Sequence, residues 1–244
     1  GEQAFEDTVS VYREQAEALV EGGVDLFIVE TMVDIQEARA AVFGIRAVSD
    51  LPVCVSLTFD ESGRTLTGTD PRTAVIAMQD IGVDAIGCNC STGPRPMRRV
   101  IEQMAGVAHV PLLALPNAGI PRLVRGETVF SLDAGEFVKE TAPIAATANI
   151  IGGCCGTSPE YIGRLHEAVR AMPVPELPDR YPVALASARR SVFLDEGQPL
   201  VVVGERINPT GKEALKAELR EGETEEVRRL AMEQAKAGAD VLDV

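Results

Sequence analysis

The residues of this chain best suited to chemistry are two adjacent cysteines set among glycines, Gly152-Gly153-Cys154-Cys155-Gly156. The apolar pair Ile150-Ile151 leads into them, and Ser158-Pro159-Glu160 follows as a helix start, with a cap residue, a proline and an acid in suitable order. The thiols therefore sit on a turn at the carboxyl end of a short strand, where active sites of α/β folds collect. Free cysteine is often just a small buried hydrophobe. Successive strand side chains point to opposite faces, however, so two thiols in a row converge only after the strand has broken into a turn. A disulfide between neighbours would be strained. A soft metal ion is the favoured common target, with a pair of plain core residues as the alternative, and the metal needs at least one more ligand.

Other strand ends supply candidates. Glu30-Thr31, Thr58-Phe59, Asn89-Cys90 and Pro116-Asn117 each close an apolar run. In a barrel these ends ring one mouth, which brings Cys90 to Cys154 and Cys155. Three thiolates and one exchangeable position suit zinc with an open site. Glu30, a carboxylate ending an apolar strand, reads as a ligand contact or a salt-bridged rim residue, and Asn117 as a site residue or a turn cap. Cys54 and Cys88 lie inside apolar runs and read as core, Cys88 sharing the alternation of Cys90 one layer below. His109 and His166 read as structural or solvated.

The elements that must position these groups alternate regularly. Apolar segments at 24–31, 51–59, 83–90, 110–115 and 150–151 read as strands. Helical patterns occupy 5–20, 35–48, 71–81, 96–105, 131–148 and 159–172. Strands apolar without alternation suit a parallel sheet buried on both faces. The predicted fold is an α/β (β/α)8 TIM barrel represented by its last five βα units, with a doubly wound sheet as the alternative. No Gly-x-Gly-x-x-Gly follows the first strand, so a dinucleotide site is not supported. The predicted domains are a barrel part over 1–172, a proline-rich linker over 173–199, and the beginning of a second α/β barrel over 200–244. Both ends read as interrupted, as in a fragment.

Composition narrows the function class. A net charge of −14, with no offsetting basic cluster, disfavours nucleic acid and anionic membranes as partners. No apolar run is long enough to span a bilayer. Five cysteines in 244 residues do not form a secreted disulfide framework, so a cytoplasmic location is expected.

Gly87-Cys88-Asn89-Cys90-Ser91-Thr92-Gly93-Pro94 and Gly152-Gly153-Cys154-Cys155-Gly156-Thr157 resemble the two zinc-cysteine motifs of the homocysteine S-methyltransferase family. Pro116-Asn117-Ala118-Gly119 and Glu30-Thr31 resemble its Pro-Asn-Ala-Gly segment and its substrate-contacting Glu-Thr pair. Gly204-Glu205-Arg206-Ile207-Asn208-Pro209-Thr210-Gly211 is similar to the opening of the pterin-binding barrel of cobalamin-dependent methionine synthases. The resemblance implies zinc on Cys90, Cys154 and Cys155, with Asn117 at or beside the fourth position. It implies homocysteine as substrate, with Glu30 on its ammonium group. It also implies methylcobalamin as donor, carried on a cobalamin-binding module this sequence lacks, and methyltetrahydrofolate as the recharging co-substrate, with Asn208 as a pterin contact. A cobalamin-independent enzyme using a sulfonium or betaine donor is the rival reading, and a non-catalytic zinc scaffold the second. The sequence departs from the family in lacking the first three barrel strands and in carrying a cysteine at position 88.

Overall fold

The computed structural model of the chain describes residues 3–244. It divides into two compact units, the first running to Tyr181 and including Ala186–Ser191, the second comprising Pro182–Leu185 and Val192–Val244.

In the first unit, α1 (Phe5–Glu21), β1 (Phe27–Met32), α2 (Ile35–Arg46), β2 (Val53–Leu57), α3 (Pro71–Gln79), β3 (Ala85–Asn89), α4 (Pro94–Ala105) and β4 (Leu112–Leu115) follow in strict alternation. An antiparallel hairpin, β5 (Pro121–Val124) and β6 (Glu127–Phe130), interrupts the pattern before α5 (Ala134–Thr141). A 3₁₀ turn (Ala142–Ala146), β7 (Ile150–Ile151) and α6 (Pro159–Val169) complete it. Strands β1, β2, β3, β4 and β7 form one parallel sheet in that order. The order never reverses, which rules out the doubly wound alternative for these strands. The sheet stays open, with β1 and β7 as its edges.

Burial follows position in this sheet. Every residue of β2 and β3 is buried, as expected for strands covered on both faces. β1 differs from its sequence reading: Phe27, Val29 and Met32 are buried, while Ile28, Glu30 and Thr31 are exposed. An edge strand lacks the neighbour that would cover that face. Aspartates start several helices. Asp34 accepts from the Gln36 amide, Asp70 from Arg72 and Thr73, and Asp133 forms a capping box with Glu136.

Two further sequence expectations need correction. The segment 120–130, to which the sequence reading assigns no element, is a β-hairpin, and the helix expected over 131–148 is shortened to α5 and a 3₁₀ turn. The hairpin strands Pro121-Arg122-Leu123-Val124 and Glu127-Thr128-Val129-Phe130 are too short and too exposed to stand out from a loop. The span 173–199 contains a two-stranded ribbon, β8 (Ala184–Ala186) and β9 (Ser191–Phe193), where only an extended linker is expected. In the second unit, β10 (Val203–Gly204) pairs in parallel with β11 (Val241–Leu242). Helices α7 (Glu213–Arg220) and α8 (Glu225–Lys236) lie between them in sequence, and Ile207, Leu215 and Leu230 form a small buried cluster. No helix among the described residues is long and apolar enough to cross a membrane.

A close strand contact lies in β3, three residues before Cys90. A Cβ on Gly87 of β3 would stand 1.7 Å from the carbonyl oxygen of Leu113 on β4. Gly87→Ala must therefore force the two central strands apart, at a cost of about 1–3 kcal/mol or more. Gly163→Ala in α6, where a Cβ meets open space, should be neutral or stabilising by up to about 1 kcal/mol. Urea unfolding of the two variants measures the contrast.

Candidate metal centre

The carboxyl ends of β1, β3, β4 and β7 meet at one place, and each reaches it by leaving regular strand geometry. Cys90 and Ser91, just past β3, have φ of 60° and 57°. The left-handed region is sparsely used by residues other than glycine, and such strain concentrates at functional sites. The Cys90 amide still bonds the Leu115 carbonyl at 3.2 Å, so the kink begins while the chain is anchored to β4. Thr31, the penultimate residue of β1, has φ of 62°, a genuine outlier for a β-branched residue, and the β1–β2 register shifts between Val29 and Met32.

The turn bearing Cys154 and Cys155 is laced to the end of β4. Cys154 N–H donates to the Pro116 carbonyl at 2.9 Å, and Ala118 N–H to the Cys155 carbonyl at 2.9 Å. The Asn117 side-chain oxygen accepts from Cys155 N–H at 3.1 Å, and Thr157 Oγ1 donates to the Cys154 carbonyl at 2.7 Å. Gly156 closes the turn at φ 79°, and a Cβ there would collide with the Phe130 ring at 2.3 Å. Glycine is thus required twice over, for the conformation and for the hairpin's approach.

The result is a trio of sulfurs. Cys90, Cys154 and Cys155 present their Sγ atoms within 4.8 Å of one another. Cys90 and Cys155 are 3.8 Å apart, Cys154 and Cys155 3.9 Å. Tetrahedral zinc with Zn–S bonds of about 2.3 Å requires S···S separations of about 3.8 Å. The spacing and the donor set therefore both fit zinc. A disulfide, at about 2.05 Å, would need the sulfurs to move much closer.

Electrostatics agree. Desolvation, followed by the neighbouring Cys90 and Cys154 sulfurs, pushes the Cys155 thiol up to about 11. A cysteine acting as nucleophile in its own right needs the opposite shift. Three adjacent thiols become thiolates together only around a cation, which deprotonates its ligands outright.

The structure brings together Cys90, Cys154 and Cys155, with Asn117 buried beside them. The Asn117 carbonyl is committed to the Cys155 turn, so this residue borders the trio while holding it. Glu30 is exposed on β1, one residue before Thr31. Cys54 and Cys88 are buried core residues outside the trio, their thiols pushed up by burial. Asn208 belongs to the second unit, where its Nδ2 donates to Glu205 Oε1 at 2.6 Å and its Oδ1 accepts from Thr210 N–H at 2.8 Å. Sequence reasoning gave Asn89 no role of its own, although it adjoins Cys90. Its side chain, 1% exposed, bonds both Thr31 and Cys154. A buried amide one residue before a candidate ligand is the signal that marks it.

The protein-family profile "Homocysteine S-methyltransferase" matches residues 2–169. Methionine synthase of Mycobacterium tuberculosis is 30% identical over 240 residues, covering 96% of this chain and 20% of that protein. Methionine synthase of Mycobacterium leprae is 30% identical over 245 residues, with the same shares. The chain thus spans about a fifth of the length of these relatives. Among solved structures, the homocysteine methyltransferase MmuM from Escherichia coli is similar in its apo form, with TM-score 0.55 and 26% identity over 68% of this chain and 57% of that one. Its metallated form gives TM-score 0.56 at 26% identity, over 68% and 53%. With the family profile spanning most of its length and ending on the helix that follows the cysteine turn, the chain belongs to the homocysteine S-methyltransferase family.

Proposed function

We propose that this chain is the zinc- and homocysteine-binding part of a methionine synthase, transferring a methyl group to the homocysteine thiol. The observation that carries the reading is the sulfur trio, two of its separations matching tetrahedral zinc and all within 4.8 Å, at the strand ends of a homocysteine S-methyltransferase fold. On this reading the first unit is the last five βα units of a (β/α)8 barrel over 1–172, followed by a connection over 173–199. Residues 200–244 begin a pterin-binding barrel, with Asn208 as a pterin contact. The donor is methylcobalamin on a separate module, recharged by methyltetrahydrofolate. The methionine synthase similarity supports that donor, because it extends over 96% of the chain, past the residues matched by the family profile.

Zinc on Cys90, Cys154 and Cys155 would lower the pKa of an incoming homocysteine thiol and keep its sulfur nucleophilic at neutral pH. The remaining work falls to the chain. Cys154 and Cys155 are anchored by hydrogen bonds to the end of β4 and within their own turn, and with Cys90 they would hold zinc while leaving its fourth position to the substrate. Asn117 borders that position. Glu30, exposed and anionic, accepts hydrogen bonds from the substrate ammonium group. The thiol proton would leave to solvent, and the sulfur–methyl bond would form as the donor's bond to the methyl carbon breaks, the bonding electron pair staying on the departing donor.

Cys155→Ala, Cys154→Ala and Cys90→Ala should each abolish stoichiometric zinc, while Cys54→Ala should retain it. Metal content of the purified proteins decides the matter, and full occupancy in Cys155→Ala defeats the assignment. Glu30→Gln should keep zinc and weaken homocysteine binding on the order of tenfold to a hundredfold, from a charge-assisted bond of about 1.5–3 kcal/mol. Calorimetric titration with homocysteine checks it, and an unchanged affinity removes Glu30 from the site. Given zinc and homocysteine, methylcobalamin should be demethylated faster than a sulfonium or betaine donor. The reverse order would overturn the donor assignment.

A further inference from the structure

We propose that Asn89 is a positioning residue that joins the substrate-contact turn at Glu30–Thr31 to the metal-ligand sulfur of Cys154. The inference rests on the zinc reading above and goes beyond its ligand set.

The Asn89 side chain is buried at the junction of three strands and uses all its polar capacity. Its Oδ1 accepts from Thr31 N–H at 2.9 Å and from Ser56 Oγ at 2.8 Å. Its Nδ2 donates to Thr31 Oγ1 at 2.7 Å and to Cys154 Sγ at 3.7 Å. The orientation of the amide follows from its surroundings. A backbone N–H can only donate, so the atom facing Thr31 N must be the oxygen, and the nitrogen necessarily faces the sulfur. Its own backbone carbonyl accepts from Thr58 Oγ1 at 3.2 Å, which ties the same residue to the end of β2.

Two consequences follow. The pair of bonds to Thr31 spans its backbone and side chain, and so holds that residue in its left-handed conformation at φ 62°. Glu30 takes its direction from this neighbour. The N–H···S bond, meanwhile, withdraws electron density from Cys154 and limits the charge it donates to a bound metal, as outer hydrogen bonds to metal ligands do. One amide thereby sets both the aim of the Glu30 carboxylate and the electron richness of the metal. Asparagine alone among similarly sized residues offers two acceptor lone pairs to β1 and β2 and two donors to Thr31 and Cys154.

The test uses cobalt(II) in the 244-residue chain, whose thiolate-to-cobalt charge-transfer band reports sulfur electron density. Asn89→Asp retains the acceptor for Thr31 N–H but has no hydrogen for Cys154. It should move the band to lower energy, weaken metal affinity about 10–100-fold and weaken homocysteine binding. Thr31→Val removes only the hydroxyl, so it should leave the band in place while weakening homocysteine binding severalfold. A folded Asn89→Asp protein with the parent band and parent homocysteine affinity overturns the proposal, as does a Thr31→Val protein whose band moves like that of Asn89→Asp. If Asn89→Asp fails to fold, the parent loaded with cadmium-113 decides. One Asn89 side-chain amide proton should shift downfield on loading and couple to the metal, and an unshifted, uncoupled amide overturns the role. A parent chain that binds neither cobalt nor cadmium overturns the zinc reading itself, a result distinct from a metal-bound parent with an indifferent Asn89.

Discussion

Three sulfur atoms held within 4.8 Å of one another impose the constraint to which the surrounding chain is built. Thiols so close resist ionising together, and Cys155 is driven toward its protonated form by desolvation and by its neighbours. The arrangement is unfavourable for free thiolates and favourable for a tetrahedral cation. Its cost is met by the backbone. Residues other than glycine take positive φ at Thr31, in the last residues of β1, and at Cys90 and Ser91, just past β3. Arg125, at the hairpin tip, is the further case among the described residues. Strain thus gathers where the sulfurs converge, while the strands beneath remain regular.

Those strands supply the rigidity. β2 and β3 are buried along their whole length, and Gly87 lets β3 approach β4 more closely than any side chain would permit. Side-chain amides then carry order from the sheet into the turns. Asn89 links β1, β2 and β3 to Cys154, and Asn117 links β4 to Cys155. Each amide is at most 3% exposed, where an unpaired polar group would be costly, so its bonds specify one geometry. The hairpin adds a second support, its Phe130 resting against Gly156.

The edge strand explains why one candidate differs in character from the others. Cys90, Cys154 and Asn117 are inside the laced mouth, whereas Glu30 stands exposed on β1 beside Ile28. The link of Glu30 to the sulfurs runs through Thr31 and Asn89 rather than through direct contact.

Much of this was legible in the sequence because it depends on local patterning. Short apolar runs closed by polar or turn-forming residues marked the five sheet strands, and their lack of alternation marked a parallel sheet. The adjacent pair Cys154-Cys155, impossible to aim together on a regular strand, announced a turn. The same local logic failed for β5 and β6, which are too short and too exposed to differ from a loop, and for β1, whose burial depends on its place at the sheet edge rather than on its residues. The convergence of Cys90 with the other thiols was an expectation from strand-end logic, but the sulfur spacing of 3.8 Å and 3.9 Å belongs to tertiary structure alone. So does the role of Asn89. Its type and position were plain, yet its partners come from β1, β2 and the β7 turn, segments far apart in sequence. Sequence determines periodicity and turn chemistry because these arise between near neighbours. Only the folded sheet decides which distant donors and acceptors meet, because hydrogen bonds and metal geometry act over a few ångströms of space, whatever the separation along the chain.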